Sequence, residues 1–325
     1  MNETQLVVEC LSRQRYEALL PQMRQLFGAA FGRDIDARLL QWRYLGNPVD
    51  DLLDFVARLA DGSLAASYSA SPVVLELAGQ TVRSALSMTT MTAPAFAGRG
   101  LFTRLAVMLY EHMQAHGYDL VWGFPNANSH HGFISKLQWC DIYEIPTMSL
   151  DLQQTKAPRL PLPGDQVRMD PELELDYTGV AAGESRHLMV RRSREYLRWR
   201  YLQHPENEYS FYCTARGTKV SSYCITKVYQ GSALDIVDLM AASRDEMALL
   251  LGKVLEAARA AGVKRIDCWA PRHHFCHSVY EKSGFALAAP ITYLGARALT
   301  NARISASDLR DYSNWYLQMG DSDVY

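Results

Sequence analysis

The 325-residue chain has no run of about 18 apolar residues, so no membrane-spanning helix is expected. Its first residues, 1–11, lack a basic segment followed by a long apolar core, and no secretory leader is expected. Neither sign of charge dominates: 33 Lys and Arg stand against 35 Asp and Glu, for a net charge of −2. That balance argues against a dedicated nucleic-acid binder, whose footprint is a basic domain. The six cysteines, Cys10, Cys140, Cys213, Cys224, Cys268 and Cys276, contain no C-x-x-C pair. They read as reduced, mostly buried thiols of a cytoplasmic protein, not as a disulfide framework. No G-K-[ST] phosphate loop and no G-x-G-x-x-G dinucleotide fingerprint occurs.

What the sequence does contain is a weak internal repeat. Leu40-Gln-Trp42-Arg43-Tyr44-Leu45 returns as Leu197-Arg-Trp199-Arg200-Tyr201-Leu202, with the tryptophans 157 residues apart. Later, Pro125 matches Pro271, and Phe133-Ile-Ser-Lys136-Leu-Gln-Trp139 matches Val279-Tyr-Glu-Lys282-Ser-Gly-Phe285, both 146 apart. An offset that drops once and then holds marks a loop shortened in one copy. Two copies of domain size imply tandem domains, not a solenoid. The proline-rich stretch 153–165 reads as the linker between a first domain, 1–152, and a second, 166–325.

Each half carries the same coarse pattern. In the first, a strand near 5–11 precedes helical segments at 16–31 and 37–45, the latter stopped by Asn47-Pro48. A meander follows over 53–91, with a hairpin cue at Asp61-Gly62. Next come an amphipathic helix from Leu101 to about His116, an apolar strand at 120–124 and a helix over 129–137. The second half repeats the meander at 209–240, a long helix at 244–261, a strand at 265–270 and a helix at 275–283. Strands, helix, strand and helix in one unit predict an α+β architecture, a mixed and mostly antiparallel sheet flanked by helices.

The segment with most chemical content is Thr89-Thr90-Met91-Thr-Ala-Pro-Ala-Phe-Ala97-Gly98-Arg99-Gly100-Leu101-Phe102-Thr103. A strand feeds a G-x-G loop that opens directly into a helix. Glycines let the backbone approach a ligand and turn successive N–H groups the same way. The first-turn N–H groups of the helix have no internal acceptor and carry its positive dipole end. Together they form a pyrophosphate cradle.

This stretch resembles the coenzyme A-binding core of the GNAT acyltransferase superfamily. There a strand leads into an R/Q-x-x-G-x-G/A loop and a helix, then a second strand, an Asn-bearing loop and a helix reading F-Y-x-K-x-G-F. The matching words here are Ala97-Gly98-Arg99-Gly100-Leu101-Phe102, Trp122-Gly-Phe-Pro-Asn126-Ala-Asn128-Ser129 and Phe133-Ile134-Ser-Lys136-Leu-Gln-Trp139. The resemblance implies two tandem GNAT-like domains and acyl-CoA as co-substrate. It implies phosphate contacts from Ala97, Gly98, Arg99, Gly100, Leu101, Phe102 and Thr103, and pantetheine contacts from Thr90, Met91, Asn126 and Asn128. Three positions depart from the pattern. Ala97 replaces Arg or Gln, Phe102 brings bulk beside the phosphates, and Ile134 replaces the tyrosine that serves many members as general acid.

The second half keeps Tyr280-Glu-Lys282-Ser-Gly284-Phe285 but has Ala241-Ala-Ser243-Arg244-Asp245-Glu246 in place of the glycine loop. Two carboxylates there should repel a pyrophosphate, so one coenzyme A per chain is expected. Tyr280 then reads as a packing residue. The paired Trp-Arg-Tyr words, kept in both halves, read as structural helix ends.

His130 and His131, just past the second strand, are the nearest titratable groups for an acceptor amine, and His130 is the candidate base. The aromatic tail 314–325 is patterned as a docked segment, which makes Asp321, with Asp323 as the alternative, a second catalytic candidate. Arg272-His273-His274-Phe275-Cys276-His277 lacks the spacing of a metal site, and no metal is expected. Its place at the start of the last helix allows it to hold a substrate. The resemblance thus implies an N-acyltransferase acting on a primary amine, with an amino sugar, including nucleotide-linked ones used for surface polysaccharides, as the expected acceptor. Amino acids, aminoglycosides and protein lysines are alternative acceptors, and a non-catalytic coenzyme A-binding regulator is the other reading. No nucleic-acid or membrane partner is expected; acyl length and oligomeric state are not legible.

Overall fold

In the computed structural model, which describes residues 6–153, 166–180, 186–229, 231–299 and 304–323, the chain divides into two compact units. Unit 1 comprises residues 1–75, 81–143 and 293–310; unit 2 comprises 76–80, 144–292 and 311–325.

The sheet of unit 1 starts with β1 (Val7–Cys10), β2 (Leu53–Arg58), β3 (Leu64–Leu77), β4 (Gln80–Thr92) and β5 (Leu120–Gly123), adjacent in that order. β1 to β3 pair antiparallel, and β4 pairs with β5 in parallel. Helices α1 (Arg13–Ala18), α2 (Leu20–Phe31) and α3 (Ala37–Leu40) cover one face, and α4 (Leu101–Ala115) and α5 (His130–Leu137) the other. The alternation of β2 explains this division. Leu53, Phe55 and Ala57 pack with Leu105, Leu109, Phe133 and Trp139, whereas Val56 packs with Tyr16, Met23, Leu26 and Tyr44. α4 turns Leu101, Leu105, Leu109 and Met113 inward at helical spacing.

Unit 2 opens with β6 (Cys140–Asp151), whose part from Glu144 onward belongs to it, then β7 (Val167–Met169) and β8 (Met189–Val190). After α6 (Arg194–Leu197) come β9 (Ser210–Arg216), β10 (Lys219–Tyr229) and β11 (Ala233–Met240). Then follow α7 (Arg244–Ala260), β12 (Arg265–Cys268), α8 (Phe275–Lys282) and β13 (Ala286–Ala298). β9 to β11 form an antiparallel meander and β12 joins β11 in parallel. Met247, Leu250 and Val254 of α7 pack with Ile236, Ile266, Tyr280 and Phe285. The α+β expectation holds for both units, each of which has parallel and antiparallel strand pairs.

The sequence-contiguous halves, 1–152 and 166–325, are not how the chain packs. β12 is completed by β6, with Cys268 opposite Met148 and Arg265 opposite Asp151. β5 is completed by the end of β13, with Gly295 opposite Gly123 and Ala298 opposite Leu120. Each last strand therefore serves the unit that the other half of the sequence builds. α9 (Ala306–Arg310) also belongs to unit 1. Apart from Gln153, the expected linker lies outside the described residues.

The repeated Trp-Arg-Tyr words form π-helical turns, Gln41–Leu45 after α3 and Arg198–Leu202 after α6. Both place a tyrosine, Tyr44 and Tyr201, in the core, as a structural helix end requires. The six cysteines are free, and four of them are buried.

Candidate functional site

The site of unit 1 begins where β4 and β5 part. Their parallel pairing covers only Ser84–Leu86 against Leu120–Trp122. β5 ends at Gly123, while β4 runs on to Thr92. At the point of parting the strands are so close that a Cβ on Gly123 would sit 3.0 Å from the Ser87 carbonyl oxygen. Beyond it, Thr89 takes a left-handed φ of 51°, held as its hydroxyl accepts from Arg43 at 2.9 Å. This break re-aims Thr90 and Met91. Met91 is buried among the α1–α2 side chains, so what it offers a ligand is its main chain.

The loop after β4 makes a short 3-10 turn, Pro94–Phe96, and then runs exposed through Ala97, Gly98, Arg99 and Gly100. Gly98 and Gly100 both have φ of 74°, and a side chain on either would meet nothing within 4 Å. Glycine is required there by backbone conformation, and the space outside is open. Gly100 is the N-cap of α4 and supplies no side-chain acceptor. The first intrahelical bond is Arg104 N–H to Gly100 O, 3.0 Å, so the N–H groups of Leu101, Phe102 and Thr103 face outward. Arg99, stacked over Phe96 at 5.0 Å, and exposed Arg104 add positive charge to the helix dipole.

The Phe102 side chain turns inward instead of lying along the exposed loop. Its ring packs edge-on against Phe133 at 5.3 Å and beside Tyr68 at 5.5 Å, and a Cβ on Gly132 would sit 3.3 Å from it. What it presents outward is its main-chain N–H, beside those of Leu101 and Thr103. Asn126 is a turn residue: its Oδ1 accepts from the N–H groups of Asn128 and Ser129, both at 3.0 Å. This leaves its Nδ2 and the exposed Asn128 side chain as donors for a ligand.

His130, the first residue of α5, lies past the C-terminal end of β5, the same end of the parallel pair as the glycine loop. Its Nε2 is 2.6 Å from Asp141 Oδ1, and its ring stacks on Tyr293 at 4.5 Å. With Nε2–H donating to the carboxylate, Nδ1 keeps the lone pair. Neither Asp141 nor Tyr293 was marked by spacing or composition, because both come from strands that follow the motif. Ile134 packs against the apolar core and offers no acid. A different hydroxyl chain lies behind β4. Tyr68 Oη is 2.9 Å from Ser87 Oγ and 2.6 Å from Tyr110 Oη, which accepts from Trp139 Nε1 at 3.0 Å. Burial holds the Tyr68 phenol far above its ordinary range, so it stays protonated.

Asp321 is a correction. The tail does dock, with Trp315, Tyr316, Leu317 and Met319 buried in unit 2. That docking seals the carboxylate away from solvent. Asp321 is 2.8 Å from Arg192, whose guanidinium also meets Asp238 at 2.9 Å, and all three side chains are at most 2% exposed. No acceptor amine can reach it; its role is to neutralise a buried arginine. Tyr280, 1% exposed, is a packing residue as expected.

The loop of unit 2 differs from its counterpart in capping. Ser243 Oγ accepts from Glu246 N–H, and the Glu246 carboxylate accepts from Ser221, Thr214 and Ser222 hydroxyls. The N-terminus of α7 is thus capped by Ser243 and carries a carboxylate in its first turn.

Residues 13–140, which contain the whole of this unit 1 geometry except Asp141 and Tyr293, match the acetyltransferase (GNAT) domain family. The chain is also similar in fold to a conserved protein of unknown function from Enterococcus faecalis V583, with a TM-score of 0.68, 14% identity, and coverage of 91% of this chain and 73% of that one. Two GCN5-related N-acetyltransferases resemble it similarly. The one from Kribbella flavida gives 0.65, 15% identity, and 90% and 71% coverage. The one from Anabaena variabilis ATCC 29413 gives 0.66, 12% identity, and 91% and 73% coverage. No curated protein matches the chain. Residues 13–140 are a GNAT-type acetyltransferase domain, and the protein is an acyltransferase enzyme. Such domains use acetyl-CoA or another acyl-CoA as donor. No group of His, Cys, Asp and Glu suited to a metal ion occurs among the described residues, and no described helix is long and apolar enough to cross a membrane.

Proposed function

We propose that this protein transfers a short acyl group from coenzyme A to the primary amine of an amino sugar, with one coenzyme A held by unit 1. The observation that carries the donor half is the uncapped start of α4 beside the parting of β4 and β5. The N–H groups of Leu101, Phe102 and Thr103 would hold the pyrophosphate, with Gly98 and Gly100 permitting its approach. Main-chain groups of Thr90 and Met91, with the side-chain amides of Asn126 and Asn128, would hold the pantetheine arm. Amino sugar, nucleotide-linked or free, is the acceptor class carried over from the resemblance, and so is a place in surface-polysaccharide synthesis.

The reaction needs a neutral amine, a positioned thioester carbonyl and a proton for the leaving thiolate. His130, held by Asp141, would take the amine proton through Nδ1. The amine then attacks the carbonyl directly, the tetrahedral centre collapses, and the carbon–sulfur bond breaks. Ser87, backed by Tyr68 and Tyr110, is the protic chain available to the thiolate where Ile134 offers none. A covalent acyl-cysteine route is disfavoured: burial pushes the Cys213 thiol up to about 11 and holds Cys224 and Cys268 higher still. Unit 2 is read as a second, degenerate copy that no longer holds coenzyme A.

Incubation with acetyl-CoA and a panel of UDP- and dTDP-linked amino sugars, free amino sugars, aminoglycosides and amino acids, with thiol release followed, tests the reading. Release with the sugar amines alone supports it. Release only with the other amines replaces the acceptor, and a thermal shift with coenzyme A but no release from any amine favours the regulatory reading.

A further inference from the structure

Unit 2 contains a cavity of about 550 Å³ that the reaction above does not use. It opens between the loop preceding α7 (Ala241, Ala242), the start of α8 (His274, Phe275) and the tip of the β9–β10 hairpin. The loop Ala241–Glu246 is the stretch that aligns with the glycine loop of unit 1. The cavity therefore occupies, within unit 2, the place that corresponds to the phosphate cradle. Its walls carry three cationic side chains, Arg186, Arg216 and Lys219, together with Ser221 and the buried His274.

Asp245, in the first turn of α7, is exposed and does not line the cavity, and the other acidic groups nearby leave those cations largely available. Glu246 faces Arg216, and burial alone would raise its carboxyl. The hydroxyls of Ser222, Thr214 and Ser221, joined by Arg216, instead bring it below the usual carboxylate range. Its charge is met by three hydroxyls. Asp176 faces Lys219 but is bonded to the Thr178 hydroxyl at 2.5 Å and to the Thr178 N–H at 2.9 Å. Among the described residues, no carboxylate forms an ion pair within 4 Å of Arg186, Arg216 or Lys219. His274 Nδ1 accepts the Cys276 N–H, which fixes the ring in the wall as the cap of α8.

We infer that unit 2 binds a small organic phosphate in this cavity, held by Arg186, Arg216 and Lys219. Three cations lining one cavity favour a dianion, which a phosphomonoester supplies in one group. The remaining wall, formed by Val180, Val220, Ala241 and Phe275, suits the organic portion. An open cavity of this size accepts a mononucleotide or a sugar phosphate. The means of holding phosphate differs from unit 1. There the uncapped N–H groups of α4 do the work; here Ser243 and Glu246 occupy the helix end, and side-chain cations replace it.

Equilibrium titration of the full chain with adenosine 5′-monophosphate, glucose 6-phosphate and citrate tests this. The wild type, the double variant Arg216→Ala/Lys219→Ala and Gly100→Glu are compared. The two cations lie on an exposed hairpin, so the double variant should keep its circular dichroism spectrum and melting temperature. The expected result is saturable binding of at least one of the two phosphate esters by the wild type and by Gly100→Glu, weakened tenfold or more in the double variant. Loss in Gly100→Glu with retention in the double variant would assign the phosphate to the α4 loop and overturn the inference. So would no binding of either ester by the wild type, or citrate bound as tightly as the esters. Coenzyme A affinity, measured separately on the same proteins, reports on the proposed donor site without deciding this one.

Discussion

Replacing Asp54 by asparagine should flatten part of the pH dependence of stability. Asp54 lies on β2 with its side chain wholly buried, accepting from Ser67 Oγ at 3.0 Å and Ser69 Oγ at 2.5 Å. No cation balances it within ion-pair distance among the described residues. Burial raises its carboxyl from 3.8 to about 7, with the two serine hydroxyls only partly opposing. Between those values the folded state holds a proton that the unfolded state has lost, so stability must fall as pH rises. The contribution is fully present below 3.8 and gone above about 7. At about 1.4 kcal/mol per pH unit, the whole window is worth about 4 kcal/mol, and the part between pH 5 and 8 about 3 kcal/mol. Asparagine stays neutral throughout and can still accept one serine bond. Urea unfolding of both proteins at pH 5 and pH 8 checks this. The wild type should lose about 3 kcal/mol more than the variant over that span, while Asp235, raised by burial to about 6, contributes equally to both and cancels. Equal losses in the two proteins would refute the assignment of the buried, protonated group to Asp54.

Three further outcomes follow from the geometry. His130→Ala should lower kcat for thiol release by about 10²-fold with little change in KM for acetyl-CoA, and Asp141→Asn should lower it less, in steady-state assays. Tyr68→Phe should lower kcat and cost about 1–2 kcal/mol in unfolding free energy, because Tyr110 Oη loses a buried partner; rates and denaturation curves on the same preparation separate the two effects. Asp321→Ala should cost about 3–5 kcal/mol of stability by leaving Arg192 with one carboxylate, and the pH–rate profile of the folded fraction should keep its shape.

Much of the element order was legible because local rules and packing agreed. The uninterrupted spacing of Leu101, Leu105 and Leu109, and the Asp61-Gly62 turn, each satisfy both. The glycine loop was legible for the same reason: two left-handed residues directly before an uncapped helix leave a short sequence mark. The end strands were not foreseen as strands. Cys140–Asp151 and Ala286–Ala298 carry only weak alternation, and nothing local states which sheet a strand will join. That choice is made by pairing partners more than a hundred residues away, as when Met148 meets Cys268. The same distance hid Tyr293 from His130, and Asp141, only 11 residues on, was hidden because its strand was not foreseen. Asp321 was misread because a patterned tail signals docking but does not say which side of it faces solvent. Phe102 was misread because the direction of a first-turn side chain depends on the helix it packs against.

The proposed donor site rests on the backbone at the start of α4 as its phosphate-binding element. The most direct measurement is the affinity of the full chain for coenzyme A before and after Gly98→Glu and Gly100→Glu. Each substitution forces a side chain into a φ of 74° and sets a carboxylate where the phosphates would lie. The wild type should bind, and both variants should lose binding and thiol release while the fold remains intact by circular dichroism. Absence of coenzyme A binding in the wild type, or unchanged affinity in the variants, would contradict the proposed donor site.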